Sequence, residues 1–134
     1  MTKRRQQMTG TIPQGELDES SFSITTEQRP GAIVVTYRGE LELLSLAPAR
    51  IALDEFLVEG VPALVVDLSA LEFIDSIGLG LLVRAHKKAW VLRTPFILVC
   101  PKDGPAHRLL ALTGLLQALR VHPTLEEALA DLEA

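Results

Sequence analysis

A chain of 134 residues that is 48% hydrophobic forms one domain with ample core, which excludes a multi-domain enzyme. One cysteine, Cys100, excludes an internal disulfide framework and leads to the expectation of a reducing, cytoplasmic setting, while 13 Lys and Arg against 17 Asp and Glu, with 4% aromatic residues, argue against direct binding to nucleic acid. No apolar run approaches the ~20 residues of a bilayer span, and Lys3, Arg4 and Arg5 lead into Gln6 and Gln7 rather than an apolar signal segment, so neither membrane insertion nor export is expected.

In chain order, residues 1–21 balance Lys3, Arg4 and Arg5 against Glu16, Asp18 and Glu19, show no periodicity, and are read as an adaptable tail preceding a domain at 22–134. Residues 22–27 alternate and residues 33–37 are β-branched; with Arg29-Pro30-Gly31 between them they predict an antiparallel hairpin. Ser45 as N-cap, Pro48 in the first turn and Leu46, Ala49, Leu53, Phe56 and Leu57 at helical spacing predict a helix stopped by Gly60. The apolar run 63–68 predicts a strand covered on both faces.

A helix over about 77–90 follows, then a buried strand at 95–100, a helix capped by Asp103 and opening at Gly104-Pro105, and a brief strand at 118–121. Thr124 and Glu127 form a capping box for a closing helix, whose Glu126, Glu127, Asp131 and Glu133 match the whole net charge of −4. The order ββαβαβαβα implies a small α/β domain: a mostly parallel sheet with one antiparallel edge strand and helices packed on it.

The segment Asp75-Ser76-Ile77-Gly78-Leu79-Gly80, between the buried strand and its helix, resembles the signature of the STAS domain, the fold of bacterial anti-sigma factor antagonists and of the cytoplasmic domains of sulfate transporters. Gly39-Glu40-Leu41-Glu42 is similar to the family's Gly-Glu-Leu-Asp, and Leu112-Thr113-Gly114-Leu115 with Glu126-Glu127-Ala128-Leu129 to its C-terminal pattern. The resemblance implies a binding module without catalytic residues, metal or cofactor. Its partner would be an anti-sigma factor that is also a serine kinase, and its output regulation of sigma-dependent transcription. The alternative is a STAS subunit or regulator of a lipid or anion transporter.

In the family the residue before the first glycine of the signature is a Ser or Thr that the kinase phosphorylates, adding about −1.5 to −2 charge. Here that position is Ile77, which cannot accept a phosphate; Ser76 keeps a hydroxyl and is read first as helix N-cap, second as an acceptor. The candidate partner-binding residues are therefore Glu40, Glu42, Asp75, Ser76, Ile77, Gly78, Leu81 and Arg84. On a helical projection Gly78, Leu79, Leu82, Val83, His86 and Trp90 share the inward side. Ile77, Leu81, Arg84 and Lys88 then form a second stripe, an apolar docking patch with a charged rim, unless Ile77 packs beneath the 40–44 loop.

Other constellations are weaker. The third glycine of a dinucleotide-binding loop beginning at Gly78 would fall on Val83. Cys100, Asp103 and His107 suggest a nucleophile with its base, yet a thiol ending an apolar strand is far more often structural. His86 reads as a core histidine and His122 as a turn residue before Pro123, with no metal-ligand spacing.

Overall fold

The computed structural model describes residues 22–134, so the proposed tail lies outside the described residues. The hairpin is present: β1 (Phe22–Arg29) runs antiparallel to β2 (Ala32–Leu41) through a Pro30-Gly31 turn in which Gly31 takes φ 79°, the left-handed value that position needs. A 3-10 turn (Leu43–Ser45) leads into α1 (Leu46–Phe56), then β3 (Leu64–Ile74), α2 (Ser76–Leu92), β4 (Phe96–Val99), α3 (Pro105–Leu112), β5 (Val121–His122) and α4 (Leu125–Glu133). The sheet order is β1-β2-β3-β4-β5, with every pairing after the first parallel. This is the expected α/β architecture.

Strand alternation sorts the core into two layers. Val35, Tyr37, Leu64, Val66, Leu68 and Leu98 meet Ala49 and Leu53 of α1, Leu82 and Ala85 of α2, and Ala106 and Leu110 of α3. Val34, Val65, Ile97 and Val99 meet Ala128 of α4 on the opposite face. The Tyr37 hydroxyl is buried and donates to the Ala49 carbonyl at 2.6 Å, which ties α1 to the sheet centre; burial pushes its pKa well above the usual tyrosine value.

Several boundaries differ from expectation for identifiable reasons. β3 continues to Ile74, well past its apolar run, because β2 stays paired with it as far as Leu41 and Ile74. α1 ends at Phe56, and Gly60, φ 98°, belongs to the turn beyond it. Asp103 does not cap α3: it sits at φ 65°, and Gly104 is the N-cap residue without a side-chain bond. The last strand lies at 121–122 rather than 118–121, where it pairs with Leu98 and Val99. Thr124 does cap α4, accepting from the Glu127 amide at 3.1 Å.

α2 is rotated relative to the expected projection. Its buried residues are Gly78, Leu79, Leu81, Leu82, Ala85 and Ala89, so Leu81 belongs to the core and Trp90, 78% exposed, does not. The reason is α1, which packs along the stripe expected to be free: Asp54 of α1 accepts from Arg84 at 3.2 Å and from Lys88 at 3.5 Å, leaving Leu81 in the seam between the helices. Burial alone would raise the Asp54 pKa, but the two cations outweigh it and hold the carboxyl below its ordinary value.

Candidate partner-docking site

The site is built where β2 and β3 end side by side. Glu40 pairs with Phe73 and Leu41 with Ile74, and the Asp75 amide donates to the Leu41 carbonyl at 3.4 Å, holding the two chain exits together.

After β2 the backbone turns at Glu42. Its carboxylate accepts from the Leu44 amide at 3.1 Å and so caps the 3-10 turn, while Ser45 closes the reciprocal half: its hydroxyl accepts from the Glu42 amide at 3.0 Å and donates to the Glu40 carbonyl at 2.7 Å. Ser45 therefore does not cap α1 with its side chain, as its sequence position had implied. It is buried and staples the loop that presents Leu43 and Leu44. Glu42, read from the sequence as a partner contact, spends its carboxylate on the loop's own geometry.

At the start of α2 the N-cap is Asp75, not Ser76. Asp75 Oδ1 accepts from the amides of Ile77 and Gly78, both at 3.0 Å, satisfying two of the otherwise unpaired donors of the first turn. Asp75 takes the role because β3 stays in the sheet through Ile74, which makes it the first residue free to adopt cap geometry; Ser76 becomes the exposed first residue of the helix. Gly78 is fully enclosed, and a Cβ built on it would lie 2.6 Å from the Leu41 carbonyl oxygen and 2.9 Å from Leu41 Cγ. The residue beneath the 40–44 loop is thus Gly78, and Ile77 points outward at 39% exposure.

The site consequently gathers Glu40, Glu42, Asp75, Ser76, Ile77 and Gly78, while Leu81 is withdrawn into the core and Arg84 is held on the rim by Asp54. Three contributors had not been singled out from the sequence: Leu43 and Leu44, 62% and 86% exposed, and Phe73, 47% exposed. Adjacent leucines in a short turn cannot both face the core, which was a usable signal. Phe73 was not readable, because register shifts between β2 and β3 overturn the alternation that would have buried it with Leu71. Four large apolar side chains thus sit exposed at one end of the molecule, Leu43 and Leu44 on the 3-10 turn, Phe73 at the end of β3 and Ile77 in the first turn of α2. A shallow groove of about 450 Å³ along α2, lined by Ser76, Leu79, Gly80, Val83, Arg84 and Lys87 with Leu115, continues from it.

The remaining constellations are structural. Cys100 is buried, and desolvation, then Asp67, pushes its thiol up to about 12, the opposite of an activated nucleophile. His86 is half-buried with its ring centroid 6.4 Å from that of Phe96. His122 lies in β5 rather than a turn, its Nε2 2.9 Å from Asp131. Among the described residues no group of three or more His, Cys, Asp or Glu is placed to hold a metal ion, and no helix is long and apolar enough to cross a membrane.

The mostly parallel five-stranded sheet with an antiparallel edge hairpin is the fold of a known class of domain. The STAS domain family matches residues 23–128, and the chain belongs to that family. It is 31% identical over 109 residues to the anti-sigma-F factor antagonist RsfB of Mycobacterium tuberculosis, covering 81% of this chain and 88% of the relative. It is 29% identical to an anti-sigma F factor antagonist of Paenibacillus polymyxa, over 84% of this chain and 97% of that one. The crystal structure of an anti-sigma factor antagonist from Mycobacterium paratuberculosis superposes with a TM-score of 0.78 at 32% identity, covering 85% and 96% of the two chains.

Proposed function

We propose that this protein is a non-catalytic anti-sigma factor antagonist that docks on an anti-sigma factor with serine kinase activity through the end of the molecule carrying Ile77, and so regulates sigma-dependent transcription in the cytoplasm. The observation that carries this reading is the exposure of Leu43, Leu44, Phe73 and Ile77 on a framework held by the Asp75, Glu42 and Ser45 side chains. Exposed apolar groups on preorganised backbone form a docking surface, since they gain on burial and little order remains to be lost. The names of the relatives at about 30% identity supply the class of partner.

The outward Ile77 occupies the position where the family carries its phosphate acceptor. The chain is then competent to dock without dephosphorylation, or is controlled elsewhere. Affinity capture from the native host with identification by mass spectrometry should recover an anti-sigma factor, and incubation with it and ATP should leave the intact mass of this chain unchanged. Recovery of a transporter ATPase instead would favour the transporter-subunit reading, and phosphate on the Ser76 peptide would overturn the claim that the switch is missing.

A further inference from the structure

The hairpin leaves β1 at one border of the sheet, and the direction of its backbone groups follows from the pairings. The Ile33 amide donates to the Ala63 carbonyl at 2.9 Å, so Ile33 faces β3 and its neighbours Ala32 and Val34 face β1. Their partners Arg29 and Glu27, and by alternation Thr25 and Ser23, turn their amides and carbonyls toward β2. Phe22, Ile24, Thr26 and Gln28 therefore point theirs out of the sheet, and among the described residues no strand meets them.

Open edges of this kind are ordinarily blunted by lysine, proline, a bulge or a covering element. β1 pairs with β2 through all 8 of its residues without a register shift, and it holds neither Lys nor Pro. Its charges cancel, Arg29 Nε lying 2.9 Å from Glu27 Oε2. α1 packs on β2, so Phe22 and Ile24, on the same face as Tyr37, stay half-buried. The border offers a row of free backbone groups beside an apolar flank.

We propose that a second copy of this chain occupies this edge, β1 against β1 in antiparallel register, joining two 5-stranded sheets into one. Symmetry restricts the register. A two-fold axis perpendicular to the sheet sets opposite one another only residues of the same face, so it must pass through a residue position. Centred on Thr25, it brings Phe22 opposite Gln28 of the other copy and Ile24 opposite Thr26, so every outward residue exchanges both its bonds. On the other face Ser23 meets Glu27 and Thr25 meets its own copy. Centring on Thr26 would set Phe22 against Pro30 of the turn, and centring on Glu27 would set two like charges face to face.

The two α1 helices clear one another. They lie over β2 strands separated by three spacings of about 4.8 Å, roughly 14 Å in all, whereas packed helices sit about 8–10 Å apart. One strand pair falls short of the ~1,200 Å² of a standard interface, so the dimer is a reversible one. The axis sends the two Ile77 ends to opposite poles, and the pairing is independent of what they bind.

The test is sedimentation equilibrium of the full chain from about 10 µM to 1 mM, with amide hydrogen exchange at both limits. The native chain should approach twice its monomer mass, and exchange at Ile24, Thr26 and Gln28 should slow several-fold with concentration, more than at Thr25 and Glu27, which already face β2. Thr26→Pro, which removes an outward donor and no bond to β2, should abolish the dimer. Thr25→Lys and Thr25→Glu should each weaken it several-fold, and an equal mixture of the two should restore it. A chain that stays monomeric at the top of the range would overturn the proposal. So would outward amides already protected in the monomer, which would show the edge covered within one chain, or a dimer indifferent to the charge at position 25, which would place the contact on another surface.

Discussion

Gly78 is seated directly against the Leu41 carbonyl, so close that any side chain at position 78 would collide with the end of β2. This contact sets how far α2 can descend onto the sheet and therefore where Ile77 emerges. Ala at 78 would gain about 1 kcal/mol of helix propensity, but its Cβ would meet backbone at 2.6 Å, and overpacking of this kind costs about 1–3 kcal/mol. Gly78→Ala should therefore be net destabilising in urea titration. Gly80→Ala, with nothing within 4 Å of its Cβ, should be stabilising by up to about 1 kcal/mol. If both substitutions shift the midpoint the same way, the packing account of Gly78 is wrong.

Asp75 and Ser76 are adjacent residues of cap-forming type, and only the first makes the cap. Asp75→Ala should cost about 0.5–2 kcal/mol, and Asp75→Asn should recover most of it because the amide oxygen can still accept from Ile77 and Gly78. Ser76→Ala should change the denaturation midpoint little. A larger effect at Ser76 than at Asp75 would restore the serine as cap.

The Ser45 side chain is buried, and its hydroxyl both donates and accepts across the 40–45 loop. Removing it leaves the Glu42 amide and Glu40 carbonyl without that partner, at a cost of about 1–3 kcal/mol. Ser45→Ala should thus destabilise the fold and raise amide hydrogen exchange at Glu42. Unchanged exchange there would mean that the loop is held by its leucines instead.

The C-terminal helix is tied to β5 through a charged cluster. Asp131 accepts from Arg120 at 2.8 Å and lies 2.9 Å from His122 Nε2, and these two bonds, Arg120 first, lower its pKa from 3.8 to about 2. A carboxyl depressed in the folded state stabilises it fully above the unfolded value and loses that contribution as pH falls through the folded one. The urea midpoint should accordingly fall between pH 4 and pH 2 more steeply in the native chain than in Asp131→Asn. Parallel curves would show that the cluster does not survive in solution.

Much of the scaffold was legible because it depends on local pattern: the apolar run at 63–68, the Pro30-Gly31 turn and the Thr124 cap all lie where periodicity and turn chemistry put them. What escaped depended on neighbours in space. Leu81 and Trp90 exchanged places because α1 lies along one flank of α2, and Phe73 turned outward because β3 slips against β2. The cap expected at Ser76 falls one residue earlier, on Asp75, because the residue that caps is decided by where β3 leaves the sheet, and Ser45 stands at the N-cap of α1 but gives its hydroxyl to the 40–45 loop instead. The motif pointed to the candidate site, but the leucines that enlarge it carry no motif.

The central claim is that the Ile77 end of the molecule is its docking surface, and the most direct measurement is calorimetric titration of the anti-sigma factor captured with this chain against two point variants. Ile77→Asp should weaken binding about tenfold or more, equivalent to about 1.4 kcal/mol. Val91→Asp, at an equally apolar and more exposed position 14 residues and about 21 Å along the same helix, should leave it unchanged. Native affinity in Ile77→Asp, or an equal loss in both variants, would contradict the account.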